Sequence, residues 1–226
     1  MKVICTNGLK TVMLELAPAF ERTTGTSVAI TWGATQSLVK DVESGLAADI
    51  AILTAEAIDE LIASGRVAPG SRTDLARSGI GLAVRSGAGK PDIGSPEALK
   101  RALLAARSVA HSRAGMSGLY FPTVLARLGI AEAMRAKIVL PEAGTPVGEL
   151  VAKGDAEIGV QQISELLPVA GIEIVGPLPA PLQKVTTFSA GLIAAAGQPD
   201  AARAFLRFIA EQSRPLLRAR GLEPPA

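Results

Sequence analysis

Cysteine, histidine and aromatic side chains are scarce in this chain of 226 residues: one Cys (Cys5), one His (His111), one Trp, one Tyr and five Phe. A single cysteine forbids an internal disulfide. Cys5 follows Val3 and Ile4 in an apolar run and reads as a buried structural thiol. Without further His or Cys a zinc or iron site is not expected, nor is a cofactor. With aromatics at 3%, the core must rest on Val, Ile, Leu and Ala. No apolar stretch reaches the roughly 18 residues that span a bilayer, so membrane insertion is not expected. Lys and Arg number 23 against 21 Asp and Glu, with no basic run, so nucleic acid is not an expected partner. No Gly-x-Ser-x-Gly elbow occurs. The run Gly87-Ala88-Gly89-Lys90 lacks the Walker spacing and the Ser or Thr that should follow it. No apolar leader precedes the first strand, which implies a cytoplasmic protein as the sequence stands, or a periplasmic one if a leader has been removed.

What the chain has is apolar residues, at 48%, in short runs that alternate with helical periods. Strand signals fall at 2–5, 27–31, 50–53, 79–84, 108–110, 137–140, 158–161, 172–176 and 186–192. Helical periodicity falls at 10–24, 37–44, 55–64, 96–105, 117–128, 147–153 and 199–219. Gly25, Gly45, Gly65 and Gly129 follow helices as C-terminal glycines should. The alternation predicts an α/β fold with mainly parallel sheets flanked by helices. Residues 1–80 with 190–226 are expected to form one discontinuous lobe and 81–189 a second. Two crossover strands would make the hinge, with a ligand cleft between the lobes. The last helix, with Ala204, Phe205, Phe208, Ile209 and Leu216 on one stripe, should pack on the first lobe.

Four polar turns stand at strand-to-helix junctions: Thr6-Asn7-Gly8; Trp32-Gly33-Ala34-Thr35-Gln36-Ser37; His111-Ser112-Arg113-Ala114-Gly115-Met116-Ser117-Gly118; and Gly144-Thr145-Pro146, with Pro146 suited to a first helical turn. In open α/β sheets, ligands bind beyond the carboxyl ends of strands. The free N–H groups and dipole of a helix N-terminus attract anions there. Ordinary helix capping explains any one of these turns. All four together point to an anion site. Gln161-Gln162 ends an apolar strand, either as a hydrogen-bonded strand end or as amide donors to the ligand. Lys10 and Arg113 are the nearest cations, as solvated charges or as charge partners. Trp32 reads equally as packing or as a wall of the site.

Over nearly its whole length the chain resembles the molybdate-type solute-binding proteins of ABC importers. The resemblance lies in the opening strand with its turn 6–9 and Met13, in Ala34-Thr35-Gln36-Ser37-Leu38, and in Glu43-Ser44-Gly45-Leu46-Ala47-Ala48-Asp49-Ile50. It continues in Ser117-Gly118-Leu119-Tyr120, Leu128-Gly129, Leu150-Val151 and Glu157-Ile158-Gly159-Val160. It implies the two-lobed type II periplasmic-binding-protein fold and an oxyanion held by hydroxyls and amides. The family's first-loop serine falls on Gly8, beside Thr6 and Asn7, and its second-loop serine on Thr35. Its third-loop amide falls near Ser117, its fourth near Gly144 or Thr145, and a molybdate-bonding tyrosine on Gln162.

The altered positions favour an organic carboxylate over molybdate. The first reading is a solute-binding protein holding a small anion through Thr6, Asn7, Gly8, Thr35, Gln36, Ser37, Ser117, Gly144, Thr145 and Gln162. Such a protein is expected to be a monomer and, if exported, to serve an ABC permease. Aconitate isomerase is similar to this family. A second reading is therefore an allylic isomerase of a small unsaturated polycarboxylate, with His111 as base. A cytoplasmic ligand sensor is the third.

Overall fold

Val3-Ile4-Cys5 and Ile50-Ala51-Ile52-Leu53 are apolar without interruption, and both lie in strands covered on both faces. The computed structural model of the chain describes residues 1–142 and 144–225. In chain order the elements are β1 Lys2–Thr6, α1 Lys10–Thr24, β2 Ala29–Gly33, α2 Thr35–Glu43, β3 Ile50–Thr54, α3 Ala55–Ala63, β4 Thr73–Ser78, β5 Ile80–Arg85, α4 Pro96–Ala105, β6 Val109–His111 and α5 Met116–Arg127. Then come α6 Ala131–Met134, β7 Ile138–Val139, α7 Val147–Lys153, β8 Ile158–Gln162, α8 Ile163–Leu166, β9 Ile172–Pro177, β10 Thr186–Leu192, α9 Pro199–Gln212 and α10 Arg214–Leu217.

The elements fall into two units, 79–185 and the remainder, so Gly79 and Ile80 belong with the second and 186–189 with the first. Residue 226, placed in the first lobe from sequence, lies outside the described residues. In the first unit the sheet order is β2-β1-β3-β10-β4. β1 runs parallel to β2 and β3, and β10 runs antiparallel to β3 and β4. One face of this sheet packs against α1 and α9, where Phe20 meets Phe205 at 4.8 Å and Phe208 at 5.4 Å. The other face packs Ile4 and Leu53 against Leu38, Ile58 and Leu61 of α2 and α3. In the second unit the order is β7-β6-β8-β5-β9. β6 is parallel to β7 and β8, and β5 is antiparallel to β8 and β9. Leu82, Val84, Ile158 and Val160 meet Phe121 and Val124 of α5 on one face. Ala110 meets Val147, Leu150 and Val151 of α7 on the other. The antiparallel pairs among these strands involve β5 or β10, the first strand after each crossing of the chain between the units.

The Gln183 side chain closes the second unit at this crossover. Its Oε1 accepts from the N–H of Ile80 at 2.8 Å and of Lys184 at 2.9 Å, and its Nε2 donates to the Ile80 carbonyl at 2.9 Å. A Cβ on Gly79 would stand 3.1 Å from that Nε2.

Several boundaries move from where the sequence put them. β2 starts at Ala29 and runs through Trp32 and Gly33, which pair with Cys5 and Thr6, so these two residues are strand and not turn. Thr35 and Gln36 open α2 rather than preceding it. His111 is the last residue of β6, opposite Val160, and α5 already begins at Met116. Pro146 precedes α7 with extended ψ of 138° and does not occupy its first turn. The helix expected over 199–219 breaks at Ser213, before Pro215, whose ring removes an N–H from the ladder. β4 has no strand-like apolar run in its sequence, yet it lies alongside β10. Among the described residues no helix is long and apolar enough to cross a membrane.

Candidate functional site

The first unit presents two junctions side by side. β1 ends at Thr6, and a single 3-10 turn, Asn7–Leu9, leads into α1. The neighbouring strand β2 ends at Gly33, opposite Thr6, and Ala34 leads into α2. Thr6 and Thr35 are both buried, and the Thr35 hydroxyl donates to Thr6 Oγ1 at 3.2 Å. The Thr6 hydroxyl proton remains to be given elsewhere. No side chain caps α2, so the N–H groups of its first turn have no side-chain acceptor. Ser37 N–H turns back to the Ala34 carbonyl at 3.0 Å, and the Gln36 and Ser37 side chains are exposed. Asn7 is half-buried. Gly8 is fixed by packing, since a Cβ there would lie 2.3 Å from Cζ of Phe188. Lys10 is exposed, with its Nζ 5.8 Å from the centroid of the half-buried Trp32 ring.

The second unit carries the remaining candidates. His111 is 9% exposed, and its ring lies 5.4 Å from that of Phe121. Its Nδ1 meets the Ser112 carbonyl at 3.0 Å. A carbonyl only accepts, so Nδ1 carries the proton and Nε2 keeps the lone pair. Burial pulls the imidazole below its ordinary value, opposed in part by this hydrogen bond, so it is neutral at pH 7.

The loop after His111 folds tightly over α5. Gly115 N–H donates to Ser112 Oγ at 3.2 Å, and a Cβ on Gly118 would fall on the Ser112 carbonyl. No side chain caps α5. In its first turn the Ser117 hydroxyl is fully buried and has no partner. Such a group costs free energy until something bonds it. Val160 opposes His111, and Gln162 lies one pleat further along the same face of β8, 2% exposed. Thr145 is half-buried, its N–H bonded to the Glu142 carbonyl at 3.1 Å. Gly144 is exposed at φ +85°. Arg113 is exposed and partly committed: its Nε donates to the Pro141 carbonyl at 2.9 Å, tying the loop after β6 to the loop after β7.

In the first unit Thr6 and Thr35 thus come into contact, with Asn7 and Gly8 adjoining. In the second, His111 and Gln162 share a sheet face. Gln161 is not a spare amide: its Nε2 is committed to Glu165 Oε2 at 2.8 Å. Sequence reasoning missed Glu165, which burial pushes up to about 7. An acid four residues beyond a polar strand end was the only signal. Among the described residues no group of three or more His, Cys, Asp or Glu could hold a metal ion.

Comparison with known proteins places this arrangement. The sequence profile of the bacterial extracellular solute-binding proteins matches residues 1–223. The chain belongs to this family. The chain is similar to a Pseudomonas sp. protein named aconitate isomerase, 39% identical over 218 residues, covering 94% of this chain and 82% of that one. It is also similar to the molybdate-binding protein ModA of Azotobacter vinelandii, 26% identical over 155 residues, covering 68% of this chain and 61% of that one. The solved Azotobacter vinelandii periplasmic molybdate-binding protein superposes over 100% of both chains with a TM-score of 0.83 at 21% identity, which establishes the two-lobed type II fold. Two five-stranded sheets flanked by helices are thus a layout that the chain shares with a solved molybdate-binding protein.

Proposed function

We propose that the protein is an isomerase of a small unsaturated polycarboxylate of the aconitate class. The observation that carries this reading is the 39% identity, over 94% of the chain, to a protein named aconitate isomerase. The geometry of each unit supports it. Thr6 and the uncapped start of α2 suit a carboxylate in the first unit. In the second, the unpartnered Ser117 hydroxyl and the start of α5 suit a carboxylate likewise. His111 is the base: neutral, oriented through Nδ1–H, with Nε2 available.

The reaction is a proton shift across three carbons. His111 Nε2 removes a proton from the methylene carbon of aconitate. The electron pair left behind forms a new double bond to the central carbon, and the old double-bond pair moves to the former vinylic carbon. That carbon takes the proton back from the imidazolium. Formula and charge are unchanged, and rotation while the pair is delocalised gives the other geometric isomer. Donors at the carboxylates hold the negative charge that spreads onto them.

Incubation with cis- or trans-aconitate in heavy water, followed by NMR, tests this. Interconversion with deuterium entering the methylene position is expected, and His111→Gln should slow it by about a hundredfold or more. Absence of both in the wild type would remove the enzymatic reading. A second reading, a binding protein for a small anion, is favoured by the family and by the molybdate-binding neighbours. It predicts thermal stabilisation by molybdate, sulfate or a carboxylate, without turnover.

A further inference from the structure

Gln161 and Glu165 have no part in the reaction above. Gln161 is buried near the C-terminal end of β8, on the face where Val147 and Val151 of α7 crowd Gly159. Glu165 follows in α8. The Gln161 amide donates to Glu165 Oε2 at 2.8 Å, while its Oε1 is buried and has no donor. Ser164 Oγ, next to Glu165 in sequence, is also buried and unpartnered. α8 packs against β5, β8, β9 and α7. The charged residues on those elements are Arg85, Glu173, Glu149 and Lys153. Glu173 pairs with Lys90, and Glu149 with Lys153. None of the four forms an ion pair with Glu165.

Glu165 is half-buried; ionised, it is a charge without an ion-pair partner at the sheet end that carries Gln162, and it leaves Gln161 Oε1 without a donor. A protonated Glu165 removes both faults, because its O–H can close a two-bond acid–amide pair onto that oxygen. We propose that Gln161 and Glu165 make anion binding in the second unit proton-linked: Glu165 takes up a proton when the anion binds. Burial already holds this carboxyl at about 7, where an approaching anion completes the protonation. The inference rests on the anion-binding part of the function proposed above, and not on turnover.

Calorimetry above pH 7, in buffers of different ionisation enthalpy, reads the protons taken up with cis-aconitate and with sulfate. Wild type should take up a substantial fraction of one proton, and affinity should fall by up to about tenfold per pH unit. Glu165→Gln keeps a neutral amide partner for Gln161 and should lose that uptake. Any share belonging to His111 would remain. Binding without uptake, or equal uptake in the variant, overturns the proposal. Should Glu165→Gln fail to fold, carbon-13 NMR of the wild-type glutamates decides: one carboxyl titrating near 7 supports it, and all titrating below about 5 overturns it. Sulfate binding without aconitate binding overturns the substrate proposed above and leaves this inference standing. Binding of neither anion overturns both.

Discussion

Gly8→Ala isolates one steric contact. Gly8 does not have a positive φ, so alanine is permitted by the backbone and only the added methyl matters. That methyl would lie 2.3 Å from Cζ and 2.8 Å from Cε1 of Phe188, against an ordinary carbon–carbon separation of about 3.5–4.0 Å. Relief demands a shift of more than about 1 Å in the turn or the ring. The ring has little room: Phe188 is 3% exposed, on a strand held between Thr54 of β3 and Ala76 of β4. Overpacking of this kind costs about 1–3 kcal/mol. The crowding here argues for the upper half, hence a fall in melting temperature of about 4–10 °C. Thermal and urea melts of Gly8→Ala should show it. The cost should shrink by about 1 kcal/mol or more in a Phe188→Leu background, because the two sites touch. A Gly8→Ala protein melting within a degree of wild type, or an equal cost in both backgrounds, would refute the steric account of why glycine stands at position 8.

Ser117→Ala should leave the melting temperature of the ligand-free protein unchanged or slightly raised, because the lost hydroxyl has no partner. The same change should weaken anion binding about tenfold, read by calorimetry. The folded His111 releases its proton more readily than the unfolded chain, so its contribution is intact above about pH 6.5 and lost as pH falls below it. His111→Gln should therefore flatten acid destabilisation below about pH 6.5 in pH-dependent melts. Glu165 has the opposite sign: its contribution is present below the ordinary value of 4.5 and lost as pH rises through about 7. Glu165→Gln should accordingly raise the melting temperature more at pH 8 than at pH 5. Gln183→Ala removes the side-chain acceptor of Ile80 N–H and should cost about 1–2 kcal/mol in denaturant melts, with faster hydrogen exchange at Ile80.

The legibility of the chain follows the range of the forces involved. β1, α1, α4 and α7 could be read directly, because periodicity and glycine or proline signals lie within a dozen residues. β4 could not, since Thr73–Ser78 mixes charge and apolar residues and owes its strand form to a partner more than a hundred residues away. The turn after β2 was placed too early because Trp32-Gly33 looks like loop chemistry. Parallel pairing with Cys5-Thr6 decides otherwise. Among the candidate groups, the polar junctions of Thr6, Thr35 and Ser117 were visible as residue types at strand ends. The reason for Gly8 was hidden because it lies in Phe188. Glu165 was hidden because nothing local marks a half-buried carboxylate whose ordinary value is raised by its surroundings.

The position of β10 also bears on how the chain is made. It occupies the slot between β3 and β4, so the first sheet lacks an interior strand until Thr186–Leu192 has emerged from the ribosome. The N-terminal segment, with its βαβ of β1, α1 and β2, must wait with two strand edges bare. The second unit is one continuous stretch of chain and has all its strands earlier. Synthesis order thus favours completion of the later-encoded unit first. The part of the protein synthesised earliest is the part whose native pairing closes last, and it is there that chaperone dependence and misfolding should concentrate.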